Sequence, residues 1–188
     1  MSNYNKLIKM LEMKDIEFNE GLTDKEIAYI EKIYSITFPK QLKDFIKIKL
    51  PVSNGFYNWR DFTDANIKKI KNVINAPMEG LLFDIEYNDF WVENWGKVVD
   101  DNIETQKQKF LEKYYKAPKL IPIYGHRYMP DIKAKNIPIL SVMQSDIIIY
   151  GKNLEDYFEK EFILSNKLEL DNDNHDIEFW SDIIRGKR

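Results

Sequence analysis

The order of two apolar periodicities along this chain is the feature that most restricts its fold. In the first third, apolar residues recur three and four positions apart, as at Ile27, Ile30, Ile33 and Tyr34, which is the spacing of an amphipathic helix. Later they alternate with polar residues or form short runs between turn residues, as in strands. Helices that precede antiparallel strands, with further helices between and after them, predict an α+β fold with a mixed, largely antiparallel sheet flanked by helices.

Local signals place the individual helices. Thr23 and Glu26 lie three residues apart as in a capping box, and Leu22 and Ile27 flank them as a hydrophobic staple. Further helices are predicted from Pro39 to before Pro51, over Thr63–Ile74 with Pro77 as its stop, over Asn102–Tyr115, from Asn153, and after Asp173-Asn174. Each segment carries apolar residues at helical spacing, so each is expected to bury one face.

The strand signals lie in the second half of the chain. Between Leu81 and Tyr87, apolar and polar residues alternate, which predicts a half-buried strand with Asp84 and Glu86 on its polar face. Further strands are predicted over Leu120–Tyr124, Ile139–Met143 and Ile147–Tyr150, the last two joined as a hairpin by Gln144-Ser145-Asp146.

The chain is predicted to form one domain with an N-terminal arm. Leu7, Ile8 and Leu11 recur at helical spacing and predict a short helix within the arm, residues 1–19. No linker rich in proline, glycine or serine interrupts residues 20–188, so these form the main domain and end in its C-terminal helix.

Composition argues against several classes of protein. The chain has 188 residues and no cysteine, which removes disulfides, thiolate metal sites and a cysteine nucleophile. Its two histidines lie in distant segments, so no metal site is expected. The sequence has neither the roughly 20 apolar residues that span a bilayer nor the apolar core of a signal peptide, and we expect a cytoplasmic protein without membrane association. A net charge of −3 argues against direct binding of nucleic acid.

Catalytic patterns are few. The sequence contains no nucleophile elbow and no glycine-rich phosphate loop, so no cofactor is expected. Asp84 and Glu86 would lie roughly 6.5 Å apart on one strand face, a spacing at which carboxylates hydrolyse glycosides. His126 beside Arg127, in a predicted loop after Gly125, could bind an anion or act as a base. Solvated or structural side chains are the simpler interpretation of both, and we predict no enzymatic activity.

Acidic and aromatic residues cluster around and after the predicted strand. Between Leu81 and Glu104 there are seven acidic residues and one basic residue, Lys97. Trp91 and Trp95 lie among them and either pack in the core or anchor a protein interface, where tryptophan concentrates binding energy. The predicted partner-binding residues are Asp84, Glu86, Asp89, Trp91, Glu93, Trp95, His126 and Arg127. Such a negatively charged surface would attract a basic partner.

Several segments resemble domains of the SMI1/KNR4 family (SUKH superfamily). One set of residues resembles the N-terminal part of these domains: Gly21-Leu22-Thr23 with Glu26 and Ile30, then Phe38-Pro39, Leu42 and Phe45-Ile46. A second set resembles a bacterial branch of the family: Glu79–Asp84, Phe90-Trp91, Trp95-Gly96, Leu120–Tyr128 and Pro138–Val142. The resemblance covers residues 20–163 and leaves out the arm and the end of the chain.

The resemblance implies an α+β fold without a catalytic centre. Many bacterial members of that family are immunity proteins that bind a toxin made by the same cell, often a nuclease or a deaminase, and block it. We therefore expect an immunity protein that occludes a basic cognate toxin by direct binding. A non-catalytic adaptor in regulation or assembly is the alternative, and a hydrolase that uses Asp84 and Glu86, or His126, is the third hypothesis.

Overall fold

The computed structural model describes residues 4–97, 102–164 and 176–186, and it confirms the α+β class. The α-helices are α1 (Tyr4–Glu12), α2 (Asp24–Tyr34), α3 (Lys40–Ile46), α4 (Asp64–Tyr87), α5 (Ile103–Tyr114), α6 (Leu154–Phe158) and α7 (Trp180–Arg185). The strands are β1 (Phe18–Glu20), β2 (Lys49–Pro51), β3 (Leu120–Tyr124), β4 (Arg127–Pro130), β5 (Ile139–Met143) and β6 (Asp146–Gly151). A 3₁₀ turn (Glu93–Trp95) follows α4, and a π-helical turn (Glu159–Ile163) follows α6.

Every pairing between the described strands is antiparallel. Strands β1 and β2 form a two-stranded sheet, and β3, β4, β5 and β6 form a meander in chain order. The predicted hairpin is confirmed, since Met143 pairs with Asp146 across the turn and Gln144 takes a φ of 55° there. Strands β1 and β4 were not predicted, and the region around α3 also differs from the prediction. Helix α3 ends at Ile46, and strand β2 begins where that helix was expected to continue.

The meander lies between two apolar clusters because successive strand residues point to opposite faces. Ile139 belongs to the first cluster, which α1, α2, α3 and α6 complete together with Ile70 of α4. Leu140 belongs to the second cluster, which the later part of α4, α5 and α7 complete. The apolar residues of α1 that the sequence pattern singled out, Leu7, Ile8 and Leu11, are buried in the first cluster. Residues 4–12 therefore pack on the same core as the main domain.

The predictions of a strand over Leu81–Tyr87 and of a helix stop at Pro77 are both wrong. Helix α4 runs through the whole segment and buries Ile70, Pro77, Leu81 and Ile85 at helical spacing. The alternation over Leu81–Tyr87 is only seven residues long, and a helical stripe that continues from Ile70 explains the same buried residues.

A side chain from strand β4 compensates for the proline inside α4. Proline has no N–H and its ring crowds the carbonyl four residues earlier, so Pro77 deprives the carbonyl of Val73 of its helical donor. The hydroxyl of the buried Tyr128 donates to that oxygen at 3.0 Å. Burial raises the pKa of Tyr128, which keeps the hydroxyl protonated as a donor. Helix α4 therefore stays continuous across the sheet.

The predicted capping box at the start of α2 is confirmed. The carboxylate of Glu26 accepts from the Thr23 N–H at 2.7 Å, and Thr23 Oγ1 accepts from the Glu26 N–H at 3.2 Å. Arg60 donates its Nε to the same carboxylate at 2.7 Å and its other nitrogens to the carbonyls of Glu20 and Gly21. One glutamate thus joins the helix start to the segment before α4.

The last helix begins later than predicted. Its expected cap, Asp173-Asn174, lies outside the described residues, and α7 begins at Trp180. Ile177 and Trp180 are buried and Ile184 is partly buried, and the indole N–H of Trp180 donates to the carbonyl of Pro118 at 2.8 Å.

We expect Glu26→Gln to reduce stability most clearly at neutral pH. The Arg60 hydrogen bond and then the Thr23 backbone N–H lower the pKa of Glu26 from 4.5 to about 2. Because the folded pKa is the lower one, this contribution is complete above about pH 4.5 and is lost as the pH falls toward 2. The substitution should lower the free energy of unfolding by about 1 kcal/mol at pH 7 and have less effect near pH 2 in urea titrations. Glu112→Gln, at an exposed position of α5, is the matched control, and equal losses at both sites would contradict the expectation.

We also expect Tyr128→Phe to be destabilising only because Pro77 is present. Alone, it should lower the free energy of unfolding by about 1–2 kcal/mol, since a buried carbonyl loses its donor. In a Pro77→Ala background, the restored N–H at position 77 can donate to the carbonyl of Val73, and the loss should fall below about 0.5 kcal/mol. Urea unfolding of the four proteins of this cycle measures the coupling, and equal losses in both backgrounds would disprove it.

Candidate functional site

The exposed side of α4 carries an unusual pair of aromatic residues. Phe83 is 47 % exposed and Tyr87 is 65 % exposed, and their ring centroids lie 4.9 Å apart. Ala76, Gly80, Phe83 and Tyr87 follow one another at spacings of four, three and four, so they lie on one side of the helix. A single exposed apolar residue needs no explanation, but an adjacent pair of this size is typical of an interaction site.

The turn between β5 and β6 extends this exposed side. Met143 is 60 % exposed and immediately precedes Gln144. Gly80 lets the turn approach closely, because a Cβ at position 80 would lie 2.9 Å from the Cα of Gln144. We call Phe83, Tyr87 and Met143 the α4 patch.

A groove lies beside the patch, between α4 and the turns of the large sheet. Its volume is about 330 Å³. Val73, Ala76, Pro77 and Gly80 line it from α4, and Tyr57, Gly125, His126, Tyr128, Val142, Met143 and Gln144 line it from the opposite side. Burial, and then the charge of Arg127, lower the pKa of His126, so its imidazole is neutral at pH 7.

The C-terminal end of α4 is negatively charged. Residues 72–96 include five acidic residues and no lysine, arginine or histidine. The last turn of α4 has no basic residue, although cations are the residues favoured at the carbonyl end of a helix. Glu86 forms an ion pair with Lys107 of α5 at 2.6 Å, whereas Glu79, Asp89 and Glu93 are exposed. One of these three carboxylates lies on α4 and the other two follow its C-terminal end, and we call them the acidic border.

Asp84, predicted to face a partner, points into the protein instead. It is 4 % exposed, because in a helix it lies on the side that faces the β5–β6 turn. Its carboxylate accepts from the Ser145 N–H at 2.7 Å and from Asn88 Nδ2 at 2.7 Å. The two-residue spacing that would align Asp84 and Glu86 on a strand separates them on a helix. The carboxylate pair imagined for glycoside hydrolysis is therefore not formed.

The tryptophans also differ from each other. Trp95 is 4 % exposed and stacks on Phe179 with ring centroids 5.3 Å apart, so it is a core residue and not an interface anchor. Trp91 is partly buried and donates its indole N–H to the carbonyl of Gly96 at 2.9 Å. Of the predicted residues in this stretch, Asp89 and Glu93 are exposed and Trp91 is exposed in part.

Arg127 lies in strand β4 and not in the predicted loop, and its side chain turns inward. The guanidinium lies 3.9 Å above the ring of Tyr150 and donates to Ser141 Oγ at 2.9 Å. Its Nε lies 3.5 Å from the carboxylate of Glu161, and Nη1 contacts His126 Nε2. The π-helical turn places Glu161 there. Arg127 is therefore committed to internal contacts, while His126 in the turn reaches the groove.

A second cleft, of about 550 Å³, lies beside α3 and residues 131–137. Four lysines line it, but Lys40 forms an ion pair with Asp44 and Lys43 forms one with Glu31. Burial raises the pKa of Asp131 at its edge. Its lining thus mixes both charges without a converging set of polar groups, and the α4 patch is the stronger candidate.

Sequence reasoning missed Phe83, Tyr87 and Met143 as exposed residues. Phe83 and Tyr87 are assigned to the buried face as long as their segment is taken as a strand. A helical pattern continued from Ile70 through Leu81 and Ile85 would have placed both aromatic rings off the buried stripe. Nothing local in the sequence marks Met143.

No metal centre or membrane-spanning helix is found in the described parts of the chain. Within them, no group of three histidine, aspartate or glutamate side chains is arranged to hold a metal ion. No helix in residues 4–97, 102–164 or 176–186 has the length and apolar character required to cross a membrane.

No protein-family model, curated protein or solved structure matches this chain. The SMI1/KNR4 resemblance therefore stays a prediction.

We expect Asp84→Ala to reduce stability rather than to affect only binding. The substitution leaves the Ser145 N–H and the Asn88 amide without their acceptor and should lower the free energy of unfolding by about 1–3 kcal/mol in urea titrations. Glu79→Ala, five residues earlier on the exposed side of α4, should change it by less than about 0.5 kcal/mol. If both variants unfold at the same urea concentration as the parent, Asp84 has no structural role.

Proposed function

We propose that this chain is an immunity protein that binds a basic toxin protein through the α4 patch and its acidic border and so occludes the toxin. The observation that carries this proposal is the exposed Phe83–Tyr87 pair at the negatively charged end of α4. The resemblance to SMI1/KNR4 domains supports the choice of the immunity class within the larger class of binding proteins.

The patch combines the two properties that a tight inhibitor of a basic protein requires. Aromatic rings supply large contact area at low conformational cost and are enriched among residues that dominate binding energy. Carboxylates around them accelerate encounter with a positively charged partner and affect the dissociation rate less. Asp89 and Glu93 keep the role that the sequence suggested for them, whereas Phe83 and Tyr87 replace Trp95 as anchors.

The absence of catalysis is also part of the proposal. Asp84 and Glu86 are engaged separately, by the β5–β6 turn and by Lys107, and Arg127 is engaged by Glu161 and Ser141. Asp84, Glu86 and Arg127 are thus held by different partners, which supports recognition by shape and charge.

The proposal is tested with the proteins encoded next to this chain's own gene. Each is produced alone and together with this chain, and host growth is measured. We expect one of them to arrest growth alone and to be neutralised when this chain is present. The purified pair should form a complex that Phe83→Ala/Tyr87→Ala weakens about 100-fold in calorimetry, since two anchor residues are lost.

A matched control removes a similar amount of exposed aromatic surface elsewhere. Tyr29→Ala/Tyr115→Ala should leave the affinity within about threefold of the parent, because α2 and the end of α5 lie outside the patch. Equal losses in both double variants would place the interface elsewhere. If no neighbouring product binds, the immunity role is wrong, and a non-toxic housekeeping partner would identify an adaptor instead.

A further inference from the structure

The groove beside α4 has an apolar floor whose polar atoms are already engaged. The hydroxyl of Tyr57 donates to the carbonyl of Gly125 at 2.5 Å, and that of Tyr128 donates to the carbonyl of Val73 at 3.0 Å. Burial raises the pKa of Tyr57 to about 12, so its hydroxyl stays protonated. Both hydroxyl hydrogens are therefore already donated, and with Val73, Ala76, Pro77 and Val142 also in the lining an apolar occupant suits the floor.

The dimensions of the groove suit one side chain. Its volume of about 330 Å³ lies at the lower end of the roughly 300–1,000 Å³ that small-molecule sites occupy. Met143 and the neutral His126 lie at its edge, and both side chains pack well against an aromatic ring. A large aromatic residue fills such a space and buries roughly 150–250 Å².

The charge around the groove indicates which residues should lie next to the aromatic residue of the partner. Glu79 precedes Gly80 on α4, and the carbonyl end of the helix adds negative potential beyond it. Lys69 lies two turns before Ala76, at the opposite end of the same side of the helix. Positive groups next to the incoming residue would thus lie toward the C-terminal end of α4, over the acidic border.

We propose that the groove receives one aromatic side chain of the partner protein, flanked by lysine or arginine. This inference rests on the proposed function, because it names the feature of the partner that the α4 surface recognises. The groove would supply selectivity for the aromatic residue, and the α4 patch would supply the surrounding contact area.

Three peptides test the inference without the partner. Acetyl-Lys-Trp-Lys-amide is the probe, acetyl-Glu-Trp-Glu-amide reverses its charge, and acetyl-Lys-Ala-Lys-amide lacks the ring. Each is titrated at low salt into protein with ¹³C-labelled methionine methyl groups, and Met143→Leu assigns the resonance of Met143. Met13 is exposed, directly follows α1 and does not line the groove, so it is the internal reference for nonspecific effects.

We expect the first peptide to shift the Met143 resonance to saturation with a Kd on the order of 1 mM, as suits a single anchoring side chain. The charge-reversed peptide should bind at least about threefold more weakly at low salt, and 0.5 M salt should narrow that difference. The peptide without the ring should produce no saturable shift. Equal shifts of Met13 and Met143 would overturn the inference.

A blocking variant gives an independent readout. Ala76→Trp places an indole in the groove from an exposed helix position, and Ala65→Trp adds the same side chain to α4 outside the groove. Both should unfold at similar urea concentrations, and only Ala76→Trp should reduce peptide affinity, by at least about tenfold. Undiminished binding to Ala76→Trp would overturn the inference.

The two proposals fail in different ways. If Phe83→Ala/Tyr87→Ala loses partner binding but no peptide binds saturably, the α4 patch remains the proposed interface and the inference about the groove is wrong. Saturable peptide binding that Ala76→Trp abolishes, with no basic partner among the neighbouring gene products, would keep the groove and reject the toxin as its occupant.

Discussion

The hydrogen bond from the Tyr128 hydroxyl to the carbonyl of Val73 determines what the rest of this surface can be. Pro77 would otherwise leave that carbonyl without a donor inside the protein, and a helix interrupted there could not carry its second half across the sheet. Because the bond comes from the large sheet, it also fixes α4 on that sheet. Gly80, Asp84 and the Phe83–Tyr87 pair all lie after the proline, in the half of α4 that follows this hydrogen bond.

Two acidic residues near the end of α4 show how position in a helix decides the role of a charge. Asp84 faces inward, and its hydrogen bonds with Ser145 and Asn88 fix the β5–β6 turn against the helix. Glu86 faces outward and gains its partner from another helix, through Lys107. Acidic residues at a carbonyl end oppose the helix dipole. Such a local conflict is typical of functional sites, where stability is given up for a surface with a particular potential.

The sequence predicts correctly those features that depend on neighbouring residues, and it fails where a feature depends on residues far away in the chain. A few consecutive residues determine the capping box at Thr23 and Glu26 and the hairpin through Gln144, and both predictions are confirmed. Helix α4 depends on a donor 55 residues away in the chain, so Pro77 gave a false stop signal and the segment after it was taken for a strand. That single error inverted the exposure of its aromatic residues. Trp95 is buried against Phe179, which also lies far away in the chain, so no local pattern predicts that Trp95 is a core residue.

The way the exposed rings are supported bears on whether this surface acts as a binding site. Phe83 and Tyr87 cover each other in part, and they lie on a helix whose opposite side is fully packed, so a partner would meet them already in place. Preorganised aromatic side chains lose little freedom on association, which leaves more of the contact energy for affinity. Met143 is fixed on the same side by the turn that Asp84 holds. The inward-facing hydrogen bonds of Tyr128 and Asp84 thus hold the helix and the turn that carry the outward-facing patch.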